Sequence, residues 1–162
     1  MRIQLLIRFV LLFFCLFMMI AFAKADIHKG IEWYQNRHIG SVGIKATEDP
    51  INHAIENFLN EINKPDFEKE AALYLLKSYY YKAEFAIHEK TDKKKIFNKG
   101  KELGETYIKK YPNSPEFRYW YLVNLGSWAE VYGILKAARE GVADLMKTHS
   151  EIIIQLDPEY HD

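Results

Sequence analysis

From Asp49 onward, apolar residues return every three or four positions with polar ones between, the period of helices that bury one face. Ile51, Ala54, Ile55, Phe58, Leu59 and Ile62 define a first helix. It opens at Asp49-Pro50, where the N–H that proline lacks would have no partner anyway, and stops at Asn63-Lys64-Pro65. A second, starting at Asp66, carries Ala71, Ala72, Leu75, Leu76, Tyr79, Ala83 and Ala86 through about residue 90. Thr91-Asp92 opens a third, with Ile96, Phe97, Gly100, Leu103, Gly104, Tyr107 and Ile108, which ends at Tyr111-Pro112. Ser114-Pro115 opens a fourth, bearing Phe117, Trp120, Tyr121, Asn124, Trp128 and Val131. A fifth is expected from about Ile134 to Gln155, ending before Leu156-Asp157-Pro158. Residues 26–48 are the least regular segment: a short amphipathic piece from Ile31 to His38, then a turn at Gly40, Ser41 and Gly43. No stretch after residue 25 alternates with period two, so the fold is expected to be all-α.

The stops are themselves periodic. Pro65, Pro112 and Pro158 lie 47 and 46 residues apart, and a shift of 46 lays Tyr74-Leu75-Leu76 over Trp120-Tyr121-Leu122. Such a repeat of a two-helix unit marks stacked antiparallel helical hairpins, a tetratricopeptide-like α-α superhelix that presents a concave surface to partners. The hairpin-repeat domain is expected over residues 49–162. Gly126, Ala129, Gly133, Ala137 and Gly141 follow at steps of three or four, as do Gly100 and Gly104, which suggests helices packed closely through small residues. Gly133 also suits the turn between the last two helices.

Residues 1–25 have a different composition. Arg2 and Arg8 precede an apolar run from Phe9 to Ala23, and Ala23-Lys24-Ala25 fits a signal-peptidase site. A cleaved signal peptide and a periplasmic protein are expected, with an uncleaved inner-membrane anchor as the alternative. Without Arg2, Arg8 and Lys24, 19 of the 22 basic residues remain against 22 acidic ones, a net charge of −3. That balance gives no basic face for nucleic acid. Cys15 lies within the segment, so the remaining 137 residues hold no thiol for a disulfide or for catalysis. A lipoprotein signal needs small residues just before its cysteine, and Phe13-Phe14 stand there instead, so no lipid anchor is expected at Cys15.

Chemistry is sparse. The six histidines form no metal-binding pair at helical spacing, and no phosphate loop, nucleophile elbow or dinucleotide fingerprint occurs. No enzyme, metal or cofactor is expected. The unusual feature is an aromatic content of 15%, concentrated in Tyr79-Tyr80-Tyr81, Tyr119-Trp120-Tyr121 and Trp128. Three consecutive helical tyrosines point three ways, so one at least leaves the core. Tyr79, Tyr81, Trp120, Asn124 and Trp128 are the candidate ligand- or partner-binding residues, Asn124 being a polar group on an aromatic stripe that needs a partner if buried.

The segment from Tyr119 to Glu130, with Gly133-Ile134-Leu135-Lys136 and Leu156-Asp157-Pro158-Glu159-Tyr160, resembles the TRAP-transporter T-component family. That resemblance implies a periplasmic accessory of a TRAP-type solute transporter, whose partner would be a solute-binding protein or a second copy. It also implies a cavity for a small hydrophobic ligand. The function expected from these features is a non-enzymatic interaction module, or alternatively a small-molecule binder with an aromatic-lined cavity.

Overall fold

A computed structural model describes residues 27–160. The signal-peptide reading of residues 1–25 lies outside the described residues. Within them the chain is all-helical, with no strand and one isolated bridge between Val42 and Lys45. None of these helices is long and apolar enough to cross a membrane.

The first helix, α1, covers residues 27–35, so the segment before Asp49 holds a helix as well as the turn at Gly40 to Gly43. Then come α2 (Glu48–Glu61), α3 (Glu68–Tyr81), α4 (Lys90–Lys110), α5 (Pro115–Tyr132), α6 (Ile134–Arg139) and α7 (Val142–Leu156). Pro115 occupies the first turn of α5, as its fixed φ favours. The second predicted helix ends earlier than its apolar pattern, because α3 widens into a π-turn over Lys82–Ala86. That turn offers the Phe85 carbonyl to the Ala46 N–H (2.9 Å), tying the loop before α2 to the end of α3.

The fifth predicted helix is two helices. Gly141 takes φ +82 and Gly133 φ +118, values that favour glycine, and nothing lies within 4 Å of a Cβ built on either. Gly133 forms the turn expected between the fourth and fifth helices, and Gly141 forms a further one, which corrects the small-residue stripe expected to run on through it. Ala129 and Ala137 do pack in the core.

Neighbouring helices turn back on one another. Along α4 and α5 the contacts run Tyr107 with Phe117, Gly104 with Tyr121, and Gly100 with Asn124, falling in one helix as they rise in the other. Helix α3 is the hub, packing on α2, α4 and α5, while α7 packs on α5. Its Ala71, Leu75 and Tyr79 join Ile27, Ile51, Ala54 and Phe58 in one cluster. Its Ala72, Leu76 and Ala83 join Phe97, Phe117, Tyr121 and Leu125 in a second. Each fully buried Phe or Leu contributes about 1.5–3 kcal/mol relative to exposure, so α3 couples the two halves. The packing is asymmetric. Helix α3 touches α5, yet no Cα of α2 lies within 8 Å of one in α4.

Candidate functional site: an aromatic and cationic face

Because α3 buries two sides, its remaining stripe faces outward. Tyr74, Lys77 and Tyr81 lie on that stripe at steps of three and four, all half-buried. Tyr34 and Arg37 reach it from α1 and the following turn, and Trp120 reaches it from α5. Together they form a continuous series of ring and cation contacts. The Arg37 guanidinium lies 4.8 Å from the Tyr81 ring centroid and 4.2 Å from that of Tyr34. Tyr34 meets Tyr74 edge-on at 5.4 Å. The Lys77 ammonium lies 4.9 Å from the Tyr74 centroid and 5.7 Å from that of Trp120. Trp120 continues to Tyr119 at 5.4 Å and Tyr119 to Tyr160 at 5.6 Å. Tyr74 and Trp120 are the pair that the 46-residue shift superposes, and they flank Lys77.

The charges on this face are incompletely compensated. Arg37 donates from one terminal nitrogen to the Tyr34 carbonyl at 2.8 Å, but its Nε is buried without a hydrogen-bond partner. Among the described residues neither Arg37 nor Lys77 has a carboxylate within 4.0 Å. Burial holds the Lys77 pKa below the usual lysine range; Glu116 opposes this, Arg37 adds to it, and Glu70 opposes it. Burial likewise raises the Tyr34 hydroxyl, with Arg37 acting the other way. Glu116 is the nearby carboxylate on α5. Burial pushes its pKa up, but the Ser114 hydroxyl, the backbone and the charges of Lys69 and Lys77 together hold it below the ordinary value. A desolvated cation without a close anion is costly, and the cost falls when a partner brings a carboxylate.

The five residues predicted from sequence separate. Tyr81 and Trp120 belong to this face. Tyr79 is buried in the α1–α2–α3 cluster. Asn124 is fully buried; its amide nitrogen donates to the carbonyls of Leu76 (3.1 Å) and Trp120 (2.8 Å), while its Oδ1 lies against Gly100 without a hydrogen-bond partner. Trp128 lies away from the face. It is buried in the second cluster and stacked on Tyr132 at 4.4 Å, with Lys101 over its ring at 5.2 Å. Arg37 and Lys77 were not singled out in the sequence. The available signal was a lysine between Tyr74 and Tyr81 at helical spacing.

A second buried cation joins α5 to α7. Arg118 donates to the Pro112 carbonyl from Nε and one terminal nitrogen, and its other terminal nitrogen lies 2.9 Å from Nδ1 of His149. Among the described residues no group of three His, Cys, Asp or Glu side chains is placed to hold a metal ion.

No curated protein matches the chain. The likeness to TRAP-transporter T-components rests on the stretch from Tyr119 to Glu130, with residues 133–136 and 156–160, and the asparagine and second tryptophan of the first stretch pack between helices. Comparison with known families overturns that assignment. Residues 45–162, which are 118 of the chain's 162, match the family described as regulator of microtubule dynamics protein 1-3, and the chain belongs to that family.

Proposed function

We propose that the chain is a non-enzymatic interaction module, a tetratricopeptide-like stack whose α1–α3–α5 face receives an acidic segment of a protein partner. One observation carries this reading: Arg37 and Lys77 sit half-buried between aromatic rings with no carboxylate at ion-pair distance. Rings on both sides give an incoming segment apolar contact, and the two cations fix where its carboxylates settle. The contact of α3 with α5, against the separation of α2 from α4, supports a stack closed on this side. The family description concerns regulation of microtubule dynamics, which makes a microtubule, or a protein acting on one, the first partner to try.

The test is fluorescence anisotropy of a labelled glutamate-rich peptide with wild type, Arg37→Ala and Lys77→Met. Loss of one charge-assisted contact should weaken saturable binding by about tenfold. Equal affinity for all three proteins would remove the face from the account. The composition of residues 1–25 supports delivery to or across a membrane, with the chain periplasmic or held by the segment as an anchor. Protease protection in fractionated cells decides the side. A chain facing the cytosol keeps a microtubule within reach, and one released outside excludes it.

A further inference from the structure

At the far end of α5 from Pro115 the surface has a different character. Gly133 turns the chain out of α5 into α6, a six-residue helix in which Ala137 alone is buried. Ile134 and Leu135 stand at its tip with 65% and 79% of their surface exposed, two of the most exposed large aliphatic side chains described. Scattered apolar residues are ordinary on a surface, but an adjacent exposed pair is less so.

Two cations lie on the ring next to the turn. The ammonium groups of Lys94 and Lys136 lie 4.3 and 4.2 Å from the ring centroid of Tyr132, which directly precedes this turn. Arg139 is exposed on α6, and Lys95 borders Lys94 on α4. Of the acidic groups here, Glu140 accepts from the Tyr132 hydroxyl at 2.7 Å, and Asp92 pairs with Lys95 at 2.8 Å. Lys94 and Lys136 keep their charge on the ring without a carboxylate at ion-pair distance among the described residues. Beside them is an open cleft of about 430 Å³ lined by Thr91, Lys94, Lys95, Asn98 and Trp128.

We propose that this tip docks on an anionic bilayer surface, with Ile134 and Leu135 entering the headgroup boundary and Lys94, Lys95, Lys136 and Arg139 meeting lipid phosphates. A bilayer accepts an exposed aliphatic pair without a shaped pocket, whereas a folded partner would need a counterpart shaped to it. The cations supply charge complementarity to an acidic leaflet, and Tyr132 adds an amphipathic ring at the depth such rings prefer. This proposal stands apart from the α1–α3–α5 face and does not depend on it.

The test places an environment-sensitive dye on Leu135→Cys in full-length protein carrying Cys15→Ser. A second dye position, Glu56→Cys, reports the exposed side of α2. Vesicles of phosphatidylserine with phosphatidylcholine should brighten and blue-shift the dye at 135 and leave the dye at 56 unchanged. Pure phosphatidylcholine should leave both unchanged. Lys94→Glu with Lys136→Glu should weaken the response at 135 by about tenfold or more in vesicle concentration, with the helical signal retained. No response at 135 on vesicles that carry the protein down would overturn the proposal. So would an equal response on neutral vesicles, or the same response to a glutamate-rich peptide without lipid.

Discussion

Asn124 rests directly against Gly100: a Cβ added to the glycine would overlap the amide and lie 3.1 Å from the asparagine Cβ. The absent side chain on α4 is what lets the α5 asparagine sit flat between helices and reach the Leu76 carbonyl on α3. Three helices meet at this point. Alanine at position 100 would gain about 1 kcal/mol in helix propensity. Overpacking at such a contact costs about 1–3 kcal/mol, and the displaced amide would also lose its carbonyls. Gly100→Ala should therefore lower the urea midpoint. Adding Asn124→Ala should recover part of the loss, so the double-mutant cycle should show favourable coupling. Simple additivity would contradict the contact.

The two tryptophans of α5 should behave differently. Trp128 keeps 9% of its surface exposed and packs within the second cluster, whereas Trp120 is half-exposed on the outward face. Trp128→Ala should cost about 3–5 kcal/mol, typical of a buried aromatic truncation. Trp120→Ala should cost clearly less. Equilibrium unfolding of both variants checks the order, and a reversed order would contradict the assignment of the two side chains.

Lys77→Met removes a desolvated charge and keeps the side chain's length. If the ammonium serves binding, the substitution should leave the melting temperature unchanged or raise it while weakening the acidic peptide. A lysine needed for stability would give the opposite result, a lower melting temperature with binding intact.

His149 makes the α5–α7 contact sensitive to pH. Burial, then the Arg118 charge, hold its pKa below the ordinary 6.5, with Glu105 acting the other way. The unfolded chain thus takes up the proton first as pH falls through 6.5, and in that window stability rises with pH. Below the folded pKa the penalty is complete, because a protonated Nδ1 can no longer accept from Arg118. Wild type should lose melting temperature between pH 7 and the region below 6.5. His149→Asn, which keeps an acceptor and does not titrate, should lose less over the same range. Parallel pH profiles would assign the loss to other groups.

Much of the fold is legible because proline and helical spacing act locally. Pro115 and Tyr111-Pro112 mark a start and a stop that hold in the structure. Gly133 and Gly141 show the limit. Both fall at helical spacing with Gly126 and Ala129; Gly133 is expected as a turn and is one, whereas periodicity carries the last helix through Gly141, whose positive φ breaks it. The π-turn at Lys82–Ala86 left no sign, since its apolar residues keep the helical rhythm. Tyr81 and Trp120 could be found from aromatic clustering alone. Arg37 and Lys77 lie 40 residues apart in sequence, and only the contact of Tyr34 with Tyr74 joins the rings beneath one to those beneath the other. The setting of Asn124 is hidden for a related reason: its amide donates to a carbonyl 48 residues away.

Trp33, Trp120 and Trp128 occupy three different parts of the molecule: on α1 stacked with His53, on the aromatic face, and in the second cluster beneath Lys101. Their indole N–H signals in a nitrogen–proton spectrum therefore report three places at once. With a glutamate-rich peptide added, the account predicts that the Trp120 signal moves and saturates while those of Trp33 and Trp128 stay in place. A Trp120 signal that stays still while another moves, or no movement at saturating peptide, would contradict it.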